Sequence, residues 1–252
     1  MRLHWIVACL LLCSLLSLWA QQDDLDLDRL ETPVPTTEPS TPYFGLGGGF
    51  VGMFLFPPLD APNQKVAAWG LPGFSSPLFL SGIEGVVTVG IVPNLRLGFF
   101  GVGGSKELQK SFGLDTQRQA ELRFSATGIS TAYAFVPLRS LTLLPTLAGG
   151  WGMISLELVQ APSRTEWENL TPKDVGGTML QRVSASYLFF HPQLYIEYTP
   201  LPFLLVRLGA GYQLSSVGEW KQNRLAVVEG IPKTFRASGP SAQFAIFVGL
   251  FN

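Results

Sequence analysis

Residues 204–215 read Leu204-Leu205-Val206-Arg207-Leu208-Gly209-Ala210-Gly211-Tyr212-Gln213-Leu214-Ser215. Leu204, Val206, Leu208, Ala210, Tyr212 and Leu214 fall on one side; Leu205, Arg207, Gly209, Gly211, Gln213 and Ser215 fall on the other. A period of two with one greasy face and one small or polar face predicts a β-strand between two unlike environments. The pattern returns at the end of the chain, where Phe244, Ile246, Val248 and Leu250 alternate with Gln243, Ala245, Phe247, Gly249 and Phe251. It also opens the ordered region, with Phe44, Leu46, Phe50, Phe54 and Phe56 opposite Gly45, Gly47 and Gly49.

Extended along the chain, the alternation predicts eight strands, near 43–56, 78–92, 95–104, 119–136, 141–159, 178–198, 203–215 and 241–251. Each reaches the ~9–11 tilted residues that cross a bilayer. The connections alternate in length: 57–77, 105–118, 160–177 and 216–240 are long, whereas Pro93-Asn94, Pro137 to Ser140 and Thr199 to Pro202 are short. Tight turns at one end and long loops at the other are the asymmetry of an all-β, antiparallel up-and-down transmembrane barrel with both termini on the short-turn side.

Composition points the same way. Of 252 residues, 47% are hydrophobic and 14% are charged, against the roughly 25% charged of an ordinary soluble domain. The net charge of -1 gives no basic excess with which to hold nucleic acid. A helical membrane protein is the rival. Its best span, Leu141 to Leu156, is broken by Pro145 and by Gly149-Gly150, which disfavour a helix interior. A soluble lipocalin-like barrel is a second rival. It would turn its greasy face inward, and the low charge favours lipid outside.

The N-terminus sets the compartment. Trp5 to Trp19 carries no charge and ends at Ala20, before Gln21, Gln22, Asp23 and Asp24; this predicts a secretory signal peptide over 1–20. Cys9 and Cys13 both lie within it, so the mature chain contains no cysteine for a disulfide or a metal. Residues 21–42 are rich in Pro and Thr and carry six acidic residues against Arg29 alone, the composition of a flexible lead-in. The barrel domain is then expected over 43–252.

The signal, the eight strands, the alternating loops and the aromatic final strand together resemble the small eight-stranded bacterial outer-membrane barrels of the OmpA and OmpX kind. The resemblance is architectural, covers Tyr43 to Asn252 and carries no residue-specific motif. It implies the outer membrane of a Gram-negative-type bacterium, contact with outer-membrane lipid, and handling by the assembly machinery through the C-terminal strand. In that family the last strand usually ends on Phe, whereas here Asn252 follows Phe251. Members include structural anchors, adhesion proteins, narrow channels and a few lipid-modifying enzymes.

Chemistry-bearing motifs are sparse. His191 is the only histidine after the signal, and eight residues before the Thr199 turn it falls near mid-membrane, away from surface substrates. Gly45-Leu46-Gly47-Gly48-Gly49 lacks the Lys-Ser/Thr of a phosphate loop. No catalytic residue, metal or cofactor is predicted. The functional expectation is a non-enzymatic barrel that braces the membrane or displays binding loops; the alternative is a narrow, porin-like channel or carrier for a small or apolar ligand.

Four local expectations follow. Glu84, Arg96, Glu121, Arg123, Arg182, Glu197 and Arg207 fall on the faces assigned inward, predicting a mixed-sign lumen of the other six with Glu121 hydrated at the rim, and with Glu197 paired to Arg207 as diagonal neighbours. In 178–198 the greasy residues are odd-numbered up to Phe189 (Val183, Ala185, Tyr187) and even-numbered from Leu194, which predicts a bulge at His191-Pro192. Trp69, Trp167 and Trp220, one in each of three long loops, are expected as an interfacial belt or a surface contact site. Asn63 to Ala68 is helix-prone, with Asp60 as the N-cap and Gly70 past the end, and is expected to lie over the mouth as a lid.

Overall fold

The computed structural model describes residues 43–113, 115–138, 140–164 and 179–252; the signal, the acidic segment and Trp167 lie outside them. Among these residues the elements are β1 (Gly45–Leu55), α1 (Asp60–Ala68), β2 (Leu78–Thr88), β3 (Leu95–Phe112), β4 (Thr116–Tyr133), β5 (Phe135–Leu138), β6 (Leu141–Pro162), β7 (Met179–Leu201), β8 (Leu204–Gln222), β9 (Ala226–Val227) and β10 (Gly239–Phe251). Every pairing is antiparallel. Eight strands close a ring in the order β1-β2-β3-β4-β6-β7-β8-β10, and β10 returns to β1 in unbroken register from Gly45 opposite Phe251 to Leu55 opposite Ser241. β5 and β9 are short additions to β6 and β8. Asn252 extends the closing seam: its backbone N–H donates to the Phe44 carbonyl, 3.2 Å.

The predicted faces are the observed ones over the membrane band. Leu205, Arg207 and Gln213 are buried while Leu208, Tyr212 and Leu214 are exposed; Ala245, Phe247 and Phe251 are buried while Ile246, Val248 and Leu250 are exposed. An outer surface of Phe50, Phe99, Ile129, Trp151, Leu188 and Val248 suits lipid tails and would be a severe liability in water.

The strand lengths depart from expectation. β1, β2 and β10 have 11, 11 and 13 residues, but β3, β4, β6, β7 and β8 have 18, 18, 22, 23 and 19. The five longer strands continue past the greasy band as a wall. Residues 105–118 are therefore not a long loop. They are the end of one hairpin, with Phe112 opposite Thr116 and a turn at Gly113, where φ is +69°. Much of 216–240 is likewise strand. Ser105 to Ser111 looked like loop because the outer face of the wall meets water, so it carries Ser105, Glu107 and Gln109 and lacks the greasy stripe by which the other strands were read.

The inner face of the wall is apolar, and two segments cover it. α1 brings Val66 down with Leu71 and Phe74 beside it, and the 223–238 segment brings Phe235 and Ala237; all are buried in one cluster with Leu122, Phe124, Ile154 and Leu156. α1 begins one residue earlier than a cap at Asp60 would give. Leu59 is the N-cap residue, and Asp60 stands in the first turn, where its charge favours the helix dipole. Gly70, at φ +73°, follows the helix end, and a Cβ there would press on the Phe112 ring at 2.9 Å. Asn63 clasps the returning chain, accepting from Phe74 N at 2.7 Å and donating to Phe74 O at 3.1 Å.

Two cations pin the C-terminal end of α1 to the wall. Arg118 donates to Trp69 O at 2.8 Å and lies over the Phe112 ring at 4.3 Å, while Lys110 donates to Gly70 O at 3.2 Å. We expect Arg118→Ala to loosen this cap. Trypsin added to folded protein should then cut after the exposed Lys65, several-fold faster than in the parent, with cutting after Arg224, Lys233 and Arg236 unchanged. Equal rates at Lys65 would mean the cap is held by its apolar contacts alone.

Candidate functional site

Four of the six predicted luminal charges meet inside the barrel. β2 points Glu84 inward, β3 Arg96, β7 Glu197 and β8 Arg207, each at most 5% exposed. Glu197 and Arg207 stand directly opposite each other in the β7–β8 register, but their side chains turn to other partners. Arg207 crosses the lumen to Glu84 in a two-pronged contact, with Nη1 to Oε1 at 3.0 Å and Nη2 to Oε2 as the second prong. Glu197 takes Arg96, 2.5 Å away. The pairs are thus crossed with respect to the predicted one. A planar guanidinium gains most from a carboxylate it can meet fork to fork, and direct cross-strand neighbours have little room to make that geometry.

Aromatic rings complete the arrangement. The Arg207 guanidinium lies 4.2 Å from the Tyr195 ring and 4.7 Å from the Phe247 ring, one on β7 and one on β10, so two cation–π contacts accompany the ion pair. Tyr43, just ahead of β1, donates its hydroxyl to Glu197 Oε2 at 2.9 Å and accepts from Arg96 at 2.9 Å. Its own backbone N–H donates to Asn94 Oδ1. Two acids and two bases balance, and Tyr43 stoppers the short-turn end. Neither Tyr43 nor Tyr195 was singled out from sequence. Tyr195 shares the odd parity of Glu197, which would have placed it inward; Tyr43 precedes the first strand, where alternation gives no information.

The other charges lie elsewhere. Arg123 and Arg182 are not luminal, and Glu121 lies beside them. They stand on the outer face of the wall above the lipid band, Arg123 pairing with Glu121 at 2.8 Å and Arg182 approaching Glu157 at 3.7 Å. The parity assignment failed for Arg182 because greasy was equated with lipid-facing. In the upper half of the barrel the interior is itself greasy, so Ala185, Tyr187 and Phe189 are buried inside it.

The same misassignment produced the bulge at His191-Pro192, which the structure overturns. Phe190 faces Leu214 and Gln193 faces Gly211 in one register, and the β6 side runs without a shift from Gln160 to Leu141. Odd residues point inward along β7 from Ala185 to Glu197, so the strand never swaps faces. The β7–β8 register shifts instead between Ala185 and Tyr187, and again at the turn between Tyr198 and Leu201.

His191 faces the lumen, 2% exposed. Gln193 Nε2 donates to its Nδ1 at 2.7 Å, which leaves Nε2 to donate to Ser241 Oγ, also at 2.7 Å. This ties β7 to β10 across β8. Gln213 adds a bond to Ala237 O at 2.6 Å, and Tyr195 bonds Gln243. Between these groups and Met53, Phe100 and Val102 the free space is about 10 Å³, room for about one water. Above it Leu122, Phe124, Ile154, Leu156 and Tyr187 fill the bore.

Trp69 and Trp220 form neither a belt nor a surface. Trp220 is buried and stacked on Phe235, ring centroids 4.6 Å apart, and Trp69 packs against the cap's apolar cluster. They serve as core for the part of the wall that has left the membrane. Among the described residues no group of three His, Cys, Asp or Glu side chains comes together to hold a metal, and no helix is long and apolar enough to cross a membrane.

A closed ring of eight antiparallel strands, greasy outside and packed within, leaves one architecture. The chain folds as a small outer-membrane-type β-barrel. Solved structures similar to it have that fold: Ail, the attachment invasion locus protein of Yersinia pestis, in complex with the heparin analogue sucrose octasulfate (8% identity, 84% of this chain and 99% of Ail covered, TM-score 0.42), and the outer membrane protease OmpT from Escherichia coli (8% identity, 83% and 95%, TM-score 0.32). No protein-family model and no curated protein matches the sequence.

Proposed function

We propose that the chain is a bacterial outer-membrane protein that works without catalysis, as a sealed anchor holding its wall and cap outside the membrane. Residues 1–20 serve as the export signal, and the final strand, β10, is the segment offered to the assembly machinery. The observation that carries this reading is the filled interior. Two crossed ion pairs and Tyr43 occupy the short-turn half, the apolar plug occupies the other, and about 10 Å³ remains between them. Such a bore suits neither a conduit nor a carrier. The Ser241–His191 contact does not support hydrolysis, since Gln193 rather than a carboxylate orients the ring and Ser241 is buried under the cap.

The test is conductance of the refolded protein in a planar bilayer. Insertion should leave the current at the baseline of the bare membrane in molar salt. Stable, repeated steps in current would overturn the sealed reading and restore the channel.

A further inference from the structure

The irregularity in β7–β8 opens a cleft of about 400 Å³ on the outside of the wall. The register shifts between Ala185 opposite Trp220 and Tyr187 opposite Val217, so β8 carries an extra residue there and the two strands part. Arg182, Ser184 and Ser186 line one side; Glu219, Lys221 and Arg224 line the other. Met153 forms the lower sill, next to the exposed greasy residues Trp151 and Leu188. The cleft therefore sits one step above the apolar band, at the depth of lipid headgroups on the cap side.

The cleft is held open by fixed geometry. Asn223 and Arg224 take φ of 50° and 66°, and Leu225 N donates to Gln222 O at 3.0 Å; two positive φ angles inside such a bond make a tight type I′ hairpin turn. That turn is bolted to β7, with Asn223 N donating to Arg182 O at 2.7 Å and Arg182 N donating to Asn223 Oδ1 at 3.0 Å. Arg224 thus projects from a rigid corner. Three cations face one carboxylate, Glu219, within the cleft. Arg182 Nε is buried without a hydrogen-bond partner; its ion-pair partner Glu157 lies 3.7 Å away, beyond hydrogen-bond reach.

Resting on the membrane reading above, we infer that this cleft binds the phosphate-bearing headgroup of a lipid in the cap-side leaflet. Arg and Lys suit a phosphate dianion, the former by its fork and the latter as a point charge. Basic pockets at headgroup depth are where charged lipid groups are recognised. The sill of Met153, Trp151 and Leu188 provides the apolar wall along which acyl chains would descend. An acidic soluble partner would find the same charges but no use for that sill. Ser184 and Ser186 supply further hydroxyl donors to the phosphate oxygens.

The experiment uses the full chain in nanodiscs of phosphatidylcholine doped with lipid A, with bound lipid counted by native mass spectrometry. The parent should retain lipid A over phosphatidylcholine by at least tenfold. The triple variant Arg182→Gln, Lys221→Gln, Arg224→Asn should lose that preference; asparagine is chosen because it tolerates the left-handed turn position. The double variant Lys221→Gln, Arg224→Asn leaves Arg182 and Glu157 intact and should lose most of the preference while folding normally. Equal retention by parent and double variant would overturn the site. Displacement of lipid A by millimolar inorganic phosphate would do so too, since it would mean a free-anion site. Failure of the parent to insert into any nanodisc would overturn the membrane reading itself, whereas insertion without lipid selectivity would overturn the cleft alone.

Discussion

Arg207→Met should destabilise the refolded barrel by about 3–5 kcal/mol, the usual cost of leaving a buried carboxylate without its partner. The substitution keeps the volume of the stem but strands Glu84, which is 5% exposed and takes both its described bonds from Arg207. It also removes the cation held between Tyr195 and Phe247. Urea-driven unfolding in vesicles, followed by tryptophan fluorescence and by gel mobility without heating, reads the change. The double variant Arg207→Met, Glu84→Gln should recover much of the loss, because neither charge is then left in the bore. A loss below about 1 kcal/mol for Arg207→Met, the range of an exposed pair, would mean that water reaches the pair.

The second large effect belongs to the apolar plug. Phe124 is 1% exposed and Phe99, on the neighbouring strand, is 59% exposed. Truncating Phe124 to alanine removes the transfer energy of the ring and leaves a cavity in a crowded bore, a cost of about 3–5 kcal/mol. Phe99→Ala loses roughly the transfer contribution, about 1.5–3 kcal/mol, because lipid chains flow into the space outside the wall. Unfolding free energies of the two variants, measured side by side, should differ by more than 1 kcal/mol with Phe124→Ala the weaker. The reverse order would mean that the faces of β3 and β4 are exchanged.

The membrane half of the fold was legible because lipid outside and a packed bore inside impose a clean period of two. Leu204 to Ser215 is read correctly residue by residue for that reason. Above the membrane the rule inverts: water lies outside and the cap lies within, so Glu107 and Gln109 face out while Leu108 turns toward the plug. A strand crossing that boundary keeps its parity but exchanges the chemistry of its faces. Reading β7 with a single chemistry for each face created a bulge at His191 where none exists and sent Arg182 to the wrong side. Trp69 and Trp220 were misplaced by the same error, since a wall outside lipid needs a hydrophobic core of its own.

For the interior, alternation identified which strands carry charges inward, and Glu84, Arg96, Glu197 and Arg207 are so disposed. It could not give the partners. Pairing across a lumen depends on side-chain reach between strands that are far apart in order: β8 to β2 for Arg207, and β3 to β7 for Arg96. Neighbour rules for adjacent strands favour Glu197 with Arg207, and the backbone does set them opposite. The fork geometry of Arg207 with Glu84, and Tyr43 filling the space beside Glu197, outweigh that adjacency.

The sealing of the bore by crossed pairs is tested most directly by two double-mutant cycles sharing Arg207→Met, one with Glu84→Gln and one with Glu197→Gln. Coupling between contacting charged groups falls at roughly 0.5–3 kcal/mol. The cycle through Glu84 should lie near the upper end, and the cycle through Glu197 should be at least twofold smaller, because Glu197 is engaged by Arg96 and Tyr43. Additivity of Glu84→Gln with Arg207→Met, or a larger coupling through Glu197, would contradict the crossed arrangement and with it the sealed interior.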